Sequence, residues 1–214
     1  ERTIKAFINE LIVKIKIAST AKVGDEKNEL KHNHSIASVG HGSNKKIVAI
    51  GASTGGTEAV NYIIKNLPAD MPGILIVQHM PPVFTRMFAE RLNSLCPLEV
   101  KEAQDGDKIS PGSVLIAPGE YHMTVAHTGA SYTVKCRPGE RVNGHCPSVD
   151  VLFHSVAEQY KANAVGIILT GMGYDGAKGL LAMRQKGART IGQDEKTSIV
   201  YGMPKVAHNI GAVE

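Results

Sequence analysis

At 214 residues, 43% apolar and with 22 glycines, the chain has the length and composition of one sizeable α/β domain with an appendage, which excludes a disordered class. No apolar run approaches the roughly 18 to 20 residues of a membrane-spanning helix, and the N-terminus lacks the order of a secretory signal; three cysteines with no Cys-x-x-Cys pair argue against a disulfide framework or structural zinc and for a reducing, cytoplasmic setting. The formal charge of +4 gathers in residues 1–46, with 9 Lys+Arg against 5 Asp+Glu, whereas residues 47–214 hold 15 of each, so the globular part makes no electrostatic case for nucleic acid.

Residues 1–18 carry Ile4, Phe7, Ile8, Leu11, Ile12 and Ile15 at helical spacing, an amphipathic helix that needs a surface to pack on. Residues 19–46 turn polar, with Gly24, Asp25, Gly40, Gly42, Ser43 and Asn44, and read as a linker. Since the numbering begins with Glu1, the helix is expected to be the end of an N-terminal domain missing from this chain. His32, His34 and His41 in the linker read as solvated residues rather than as metal ligands.

From residue 47 onward strand and helix patterns alternate. Ile47 to Ala52 reads as a short buried strand, Thr57 to Asn66 as a helix, Gly73 to Gln78 as a second strand and Val83 to Leu95 as a second helix. Two successive strand-helix units in so short a span imply a parallel sheet with right-handed crossovers. Between residues 98 and 137, "VLIAPG", "YHMTVA" and "SYTVKC" are short strands broken by turn residues, an antiparallel extension or hairpin. A helix at Ser148 to Tyr160, a strand at Ala164 to Thr170, a helix at Gly176 to Gln185 and a strand near Arg189 to Ile191 complete the pattern. The expected class is α/β: a doubly wound, mainly parallel sheet with helices on both faces and an antiparallel β-hairpin extension, with ligands gathering outside the carboxyl ends of the strands.

Three of those strand ends carry groups with catalytic potential: Ser53 after "IVAIGA", His79 after "GILIVQ", and Asp175 in the turn after "AVGIILT". A hydroxyl, an imidazole and a carboxylate are what acyl transfer to serine requires. Gly51-Ala52-Ser53-Thr54-Gly55 fits the G-x-S-x-G elbow, in which glycines permit a sharp strand-to-helix turn and the serine stands up beside free backbone N–H groups. Ser53 reads equally as a helix N-cap, His79 as a core-edge histidine and Asp175 as the N-cap of the helix that follows it. Phosphate cradles fit less well, since no lysine follows Gly56 and the strand after the elbow ends in Gln78-His79 instead of an acidic residue. No His-x-x-x-His pair points to a zinc hydrolase.

Taken together, "IGASTGG", "QHMP", "IAPG", "GHCPSVDVLFHS" and "ILTGMGYDGAKGL" resemble the catalytic domain of the chemotaxis-receptor protein-glutamate methylesterase (CheB) family, from about Lys46 to Glu214. The resemblance implies Ser53 as nucleophile, His79 as base and Asp175 as the acid that completes the triad by accepting the His79 Nδ1–H. It implies backbone N–H groups near Thr54, Gly55 and Met172 as oxyanion donors, and no metal or organic cofactor. Thr54 Oγ1 would orient His79 or Ser53, and residues 145 to 150 would shape the rim, unless both serve only as caps and turns. The substrate implied is a methylated chemoreceptor, hydrolysed to glutamate and methanol, with deamidation of receptor glutamine as a second activity, and membrane insertion is not implied. Residues 1–18 and 19–46 resemble the last helix of a receiver domain and its linker, through which a chemotaxis histidine kinase would act; with no receiver core preceding them, this chain is expected to lack the phosphoacceptor. A non-enzymatic binding module and a general serine hydrolase are the alternatives that the same loops allow.

Overall fold

A computed structural model of the protein describes residues 46–128 and 131–214. The expected amphipathic helix at 1–18 and the linker at 19–46 lie outside the described residues, Lys46 apart.

Strands β1 (Ile47–Ala52) and β2 (Gly73–Gln78) pair in parallel, Ile47 opposite Gly73 and Ala52 opposite Gln78, and every residue of both is buried. Full burial explains why they read as unbroken apolar runs: a central parallel strand is covered on both faces. The remaining members of the sheet are β3 (Glu99–Glu102), β4 (Ser113–Ile116), β7 (Ala164–Ile168) and β8 (Arg189–Gly192), in the order β3-β4-β2-β1-β7-β8, all parallel. Alternation along the strands sorts side chains into two cores. Val48, Ile50, Ile74, Ile76 and Ile116 point to one face, closed by Val60 and Ile64 of α1 (Gly56–Lys65) and Phe88 and Leu92 of α2 (Phe84–Asn93). Ile47, Ala49, Leu75, Val77 and Leu115 point to the other. There α3 (Val149–Tyr160), α4 (Ala177–Gln185) and α5 (Met203–Asn209) supply Leu152, Phe153, Leu180, Met183 and Met203. The doubly wound class read from the sequence is the class found.

Strands β5 (Tyr121–Thr128) and β6 (Ser131–Pro138) form the antiparallel hairpin, with Met123 opposite Cys136 and Val125 opposite Val134 turned into the second core. The "VLIAPG" stretch, grouped with this extension in the sequence reading, belongs instead to the main sheet as β4, Ile74 opposite Val114. Its three apolar residues are buried between helices, which an edge hairpin cannot offer. Neither β3 nor α5 had a sequence counterpart. β3, "EVKE", is an edge strand with only Val100 buried, too short and charged to read as one; α5 is seven residues long and opens on Met203-Pro204. Among the described residues no helix is long and apolar enough to cross a membrane.

The chain leaves β1 toward β2 on one side and returns to β7 on the other, so the carboxyl ends of β2, β1 and β7 lie side by side where the winding reverses. That switch point is where open α/β sheets bind ligands. Gly51 shows how closely it is built: a Cβ there would collide with both Cγ atoms of Val149 at the start of α3. Gly51→Ala should lower stability by about 1 to 3 kcal/mol through overpacking, read as a fall in Tm. Adding Val149→Ala should recover part of that loss in a double-mutant cycle, whereas additive losses would show that the two sites do not meet.

Candidate active site

The backbone of Ser53 is pinned from three directions. Its N–H donates to Thr170 O at the end of β7 (3.0 Å), and its carbonyl accepts from Gly56 N in α1 (2.8 Å) and from Gln78 Nε2 at the end of β2 (2.8 Å). Gly55 takes a left-handed φ of 78° to start α1, and Ile199 packs where its Cβ would stand. Thr170, fully buried, holds the loop from below: its hydroxyl lies 3.0 Å from Thr54 O and 3.2 Å from Val200 O and accepts from the Val200 N–H. While the backbone is fixed, the half-buried Ser53 Oγ forms no hydrogen bond among the described residues. The amides of Thr54, Gly55 and Met172 likewise donate to no described acceptor, and Met172 follows Gly171, whose backbone is packed against Ser53 Cβ. The exposed Thr54 hydroxyl touches neither Ser53 nor His79 by a hydrogen bond.

His79, with its side chain 7% exposed, places Nε2 at 2.8 Å from Asp175 Oδ2. Pairing with Asp175 is as expected from the sequence, but through the other ring nitrogen: Nε2 and not Nδ1 meets the carboxylate. β1 lies between β2 and β7, so His79 at the end of β2 and Asp175 in the loop after β7 come together across the end of β1. Facing an acceptor, Nε2 carries the hydrogen, which leaves Nδ1 bare in the neutral ring, and Nδ1 is buried without a hydrogen-bond partner. The His145 ring stacks on His79, centroids 3.7 Å apart and planes 10° apart.

Asp175 is 1% exposed and does not cap its own helix; Gly176 fills that position, with φ of 91° and no side-chain cap. Its carboxylate instead sits at the N-terminus of α3. Oδ2 accepts from Val149 N (2.7 Å) as well as from His79, while Oδ1 accepts from Ser148 Oγ (2.7 Å), Asn143 Nδ2 (2.8 Å) and Asp150 N (3.2 Å). Burial by itself would raise this pKa, but the hydrogen bonds from His79, Asn143, Ser148 and Val149 outweigh it and hold the carboxyl well below the usual range. Ser148 is thus both the N-cap of α3, accepting from Val151 N, and a donor to Asp175, and residues 145–150 cradle the site more than they rim it. Cys146, beside His145, is a poor rival nucleophile: burial pushes its thiol up, offset only in part by a backbone hydrogen bond from Gly139 and by Arg141.

Gln78 also escaped the sequence reading. Its side chain, on a residue 2% exposed, ties Ser53 O to β2 while its own Oε1 is buried without a partner. A polar residue closing an all-apolar strand was the available signal. Asn143 lies in an Asn-Gly pair, which marks a tight turn but not the inward amide.

Residues 48–214 match the family model described as CheB methylesterase. A protein-glutamate methylesterase/protein-glutamine glutaminase 2 of Syntrophomonas wolfei is 59% identical over all of this chain and 62% of its own length. A protein-glutamate methylesterase/protein-glutamine glutaminase of Syntrophotalea carbinolica is 55% identical over 98% of this chain and 61% of its own. The chain therefore spans about three-fifths of the length of these relatives. The crystal structure of the Thermotoga maritima CheB methylesterase catalytic domain aligns with a TM-score of 0.77 at 42% identity, over 79% of this chain and 90% of that one.

Every group that meets the Asp175 carboxylate is a donor. Asp175→Asn must turn an NH₂ toward donors on one side or the other, at about 1 to 3 kcal/mol for each buried group left unpaired. Because the folded pKa is depressed, the carboxylate stabilises fully above its unfolded pKa of about 3.9, and that stability is lost as pH falls below it. Urea unfolding should find the variant weaker at pH 7, with the gap closing below about pH 4; a gap constant across that range would contradict the assignment.

Proposed function

The chain belongs to the CheB methylesterase family, and we propose that it hydrolyses glutamyl methyl esters of chemoreceptors to glutamate and methanol, and deamidates receptor glutamine, with Ser53, His79 and Asp175 as its catalytic triad. Residues 47–214 are then the catalytic domain, and residues 1–18 and 19–46 the end of a receiver domain and its linker. In the whole protein a chemotaxis histidine kinase would act through that receiver. The names of the relatives carry both activities, on the ester and on the amide, which differ only in the leaving group.

One observation supports the reading most: a buried histidine whose Nε2 is held by an ionised carboxylate and whose Nδ1 has no partner, at the strand end next to a serine with an unengaged hydroxyl. Ser53 Oγ attacks the ester carbonyl as Nδ1 takes its proton. The imidazolium that forms is stabilised by the short bond to Asp175, which stays charged throughout. Amides of Thr54, Gly55 and Met172 receive the negative charge on the tetrahedral oxygen, each worth roughly 3 to 4 kcal/mol where such donors have been deleted. Collapse breaks the C–O bond, Nδ1 returns the proton to the departing methoxide, and water repeats the sequence on the acyl-serine. The hydrogen bond between Ser53 and Nδ1 is open in the free protein, and such links commonly tighten only when substrate binds.

Methanol release from methylated receptor membranes tests this. Ser53→Ala should reduce it by at least about a thousandfold, the scale set by loss of a triad nucleophile, and should reduce glutamine deamidation in parallel. An alanine variant as fast as the parent would sink the reading, since a binding module is indifferent to that hydroxyl.

A further inference from the structure

Val142 and His145 exchange two backbone hydrogen bonds of 3.0 Å across a turn whose central residues, Asn143 and Gly144, have φ of 54° and 82°. Asn143 tolerates the left-handed region because its short amide side chain is among the few that do. What that amide does there is specific. Nδ2 lies 2.8 Å from Asp175 Oδ1 and 2.7 Å from Asp150 Oδ2, so one NH₂ gives a hydrogen to each of two carboxylates that are 1% and 5% exposed. Two acceptors fix the orientation of the amide, since its oxygen would face negative charge on both sides. The other oxygen of Asp150 accepts from Gly179 N at 2.6 Å in α4, so Asp150 is itself held and cannot turn away.

Resting on the triad proposed above, we infer that Asn143 is a positioning residue for the reaction: its amide separates two buried like charges and keeps Asp175 aimed at His79. Without it, Asp150 Oδ2 loses its donor and faces Asp175 Oδ1 across the gap the amide had filled, and like-charge repulsion acts to turn the Asp175 carboxylate off the line to Nε2. Ser148 Oγ and the longer bond from Asp150 N are then all that holds Oδ1. His145 leaves the same turn to stack on His79, so one short segment carries a contact to the acid and a contact to the base.

Asn143→Gly isolates the amide, because glycine takes the same positive φ and leaves the turn intact. Val156→Ala, buried in the core two turns along α3 from Val149, controls for mere loosening of that helix. For Asn143→Gly we expect kcat for methanol release to fall about tenfold to a hundredfold, the range seen when outer partners of a functional histidine are lost, with KM unchanged. Val156→Ala should lower Tm and leave kcat. In ¹⁵N-labelled protein the hydrogen-bonded Nε2 proton signal of His79 should be shifted or lost in Asn143→Gly and kept in Val156→Ala. An unchanged kcat, an unchanged Nε2 signal, a kcat loss shared by both variants, or an Asn143→Gly protein that does not fold would each overturn the inference. Parent protein that releases no methanol would instead count against the activity, while the Nε2 signal still judges the role of Asn143.

Discussion

A carboxylate taken out of water keeps its charge only when its oxygens find donors enough to replace hydration, and the loops at the strand ends are arranged around that demand at Asp175. Two of its five donors are the first N–H groups of α3, which have no acceptor within the helix and carry the positive end of the helix dipole. A third is the hydroxyl of the N-cap residue of the same helix. The helix that covers one face of the sheet is therefore also the counter-charge for Asp175, and the packing of the start of α3 through Leu152 and Phe153 fixes where that counter-charge stands.

The sheet order then decides what the histidine can do. With Asp175 anchored beyond β1 as seen from β2, the imidazole has to lie across the end of β1 to reach it, and the end of β1 is where Ser53 begins its turn. Nε2 is the nitrogen that meets the carboxylate, which leaves Nδ1 as the nitrogen without a partner.

Much of this was legible in the residues and some of it was not. β1 and β2 were readable to the residue because full burial writes itself as an unbroken apolar run, and the three loops carrying Ser53, His79 and Asp175 could be placed at one sheet edge because parallel strands put their carboxyl ends on the same side. The family could be read from motif order alone. The choice of ring nitrogen was not readable, since it depends on how the ring is turned in three dimensions. Nor were the donors to Asp175: Asn143 and Ser148 lie 32 and 27 residues from it, and nothing local in an Asn-Gly turn or a helix cap says that its polar atoms turn inward. β4 was misplaced for a similar reason, because a short apolar run fits a hairpin and a buried parallel strand alike.

The contrast between Ser53 and its surroundings bears on how the site can turn over. Backbone and acid are over-determined, with three hydrogen bonds on the Ser53 peptide groups and five on the Asp175 carboxylate, whereas the atoms that would exchange a proton in the proposed reaction, Ser53 Oγ and His79 Nδ1, have none among the described residues. A buried nitrogen left without a partner carries a desolvation cost of about 1 to 3 kcal/mol, offset by the packing around it. In the proposed reaction that cost is relieved as Ser53 Oγ closes on Nδ1 and passes it a proton. The part of the gain made only as the proton moves lowers the barrier without tightening substrate binding. The rigid parts of the site thus hold in place two atoms whose hydrogen bonding the proposed reaction would complete.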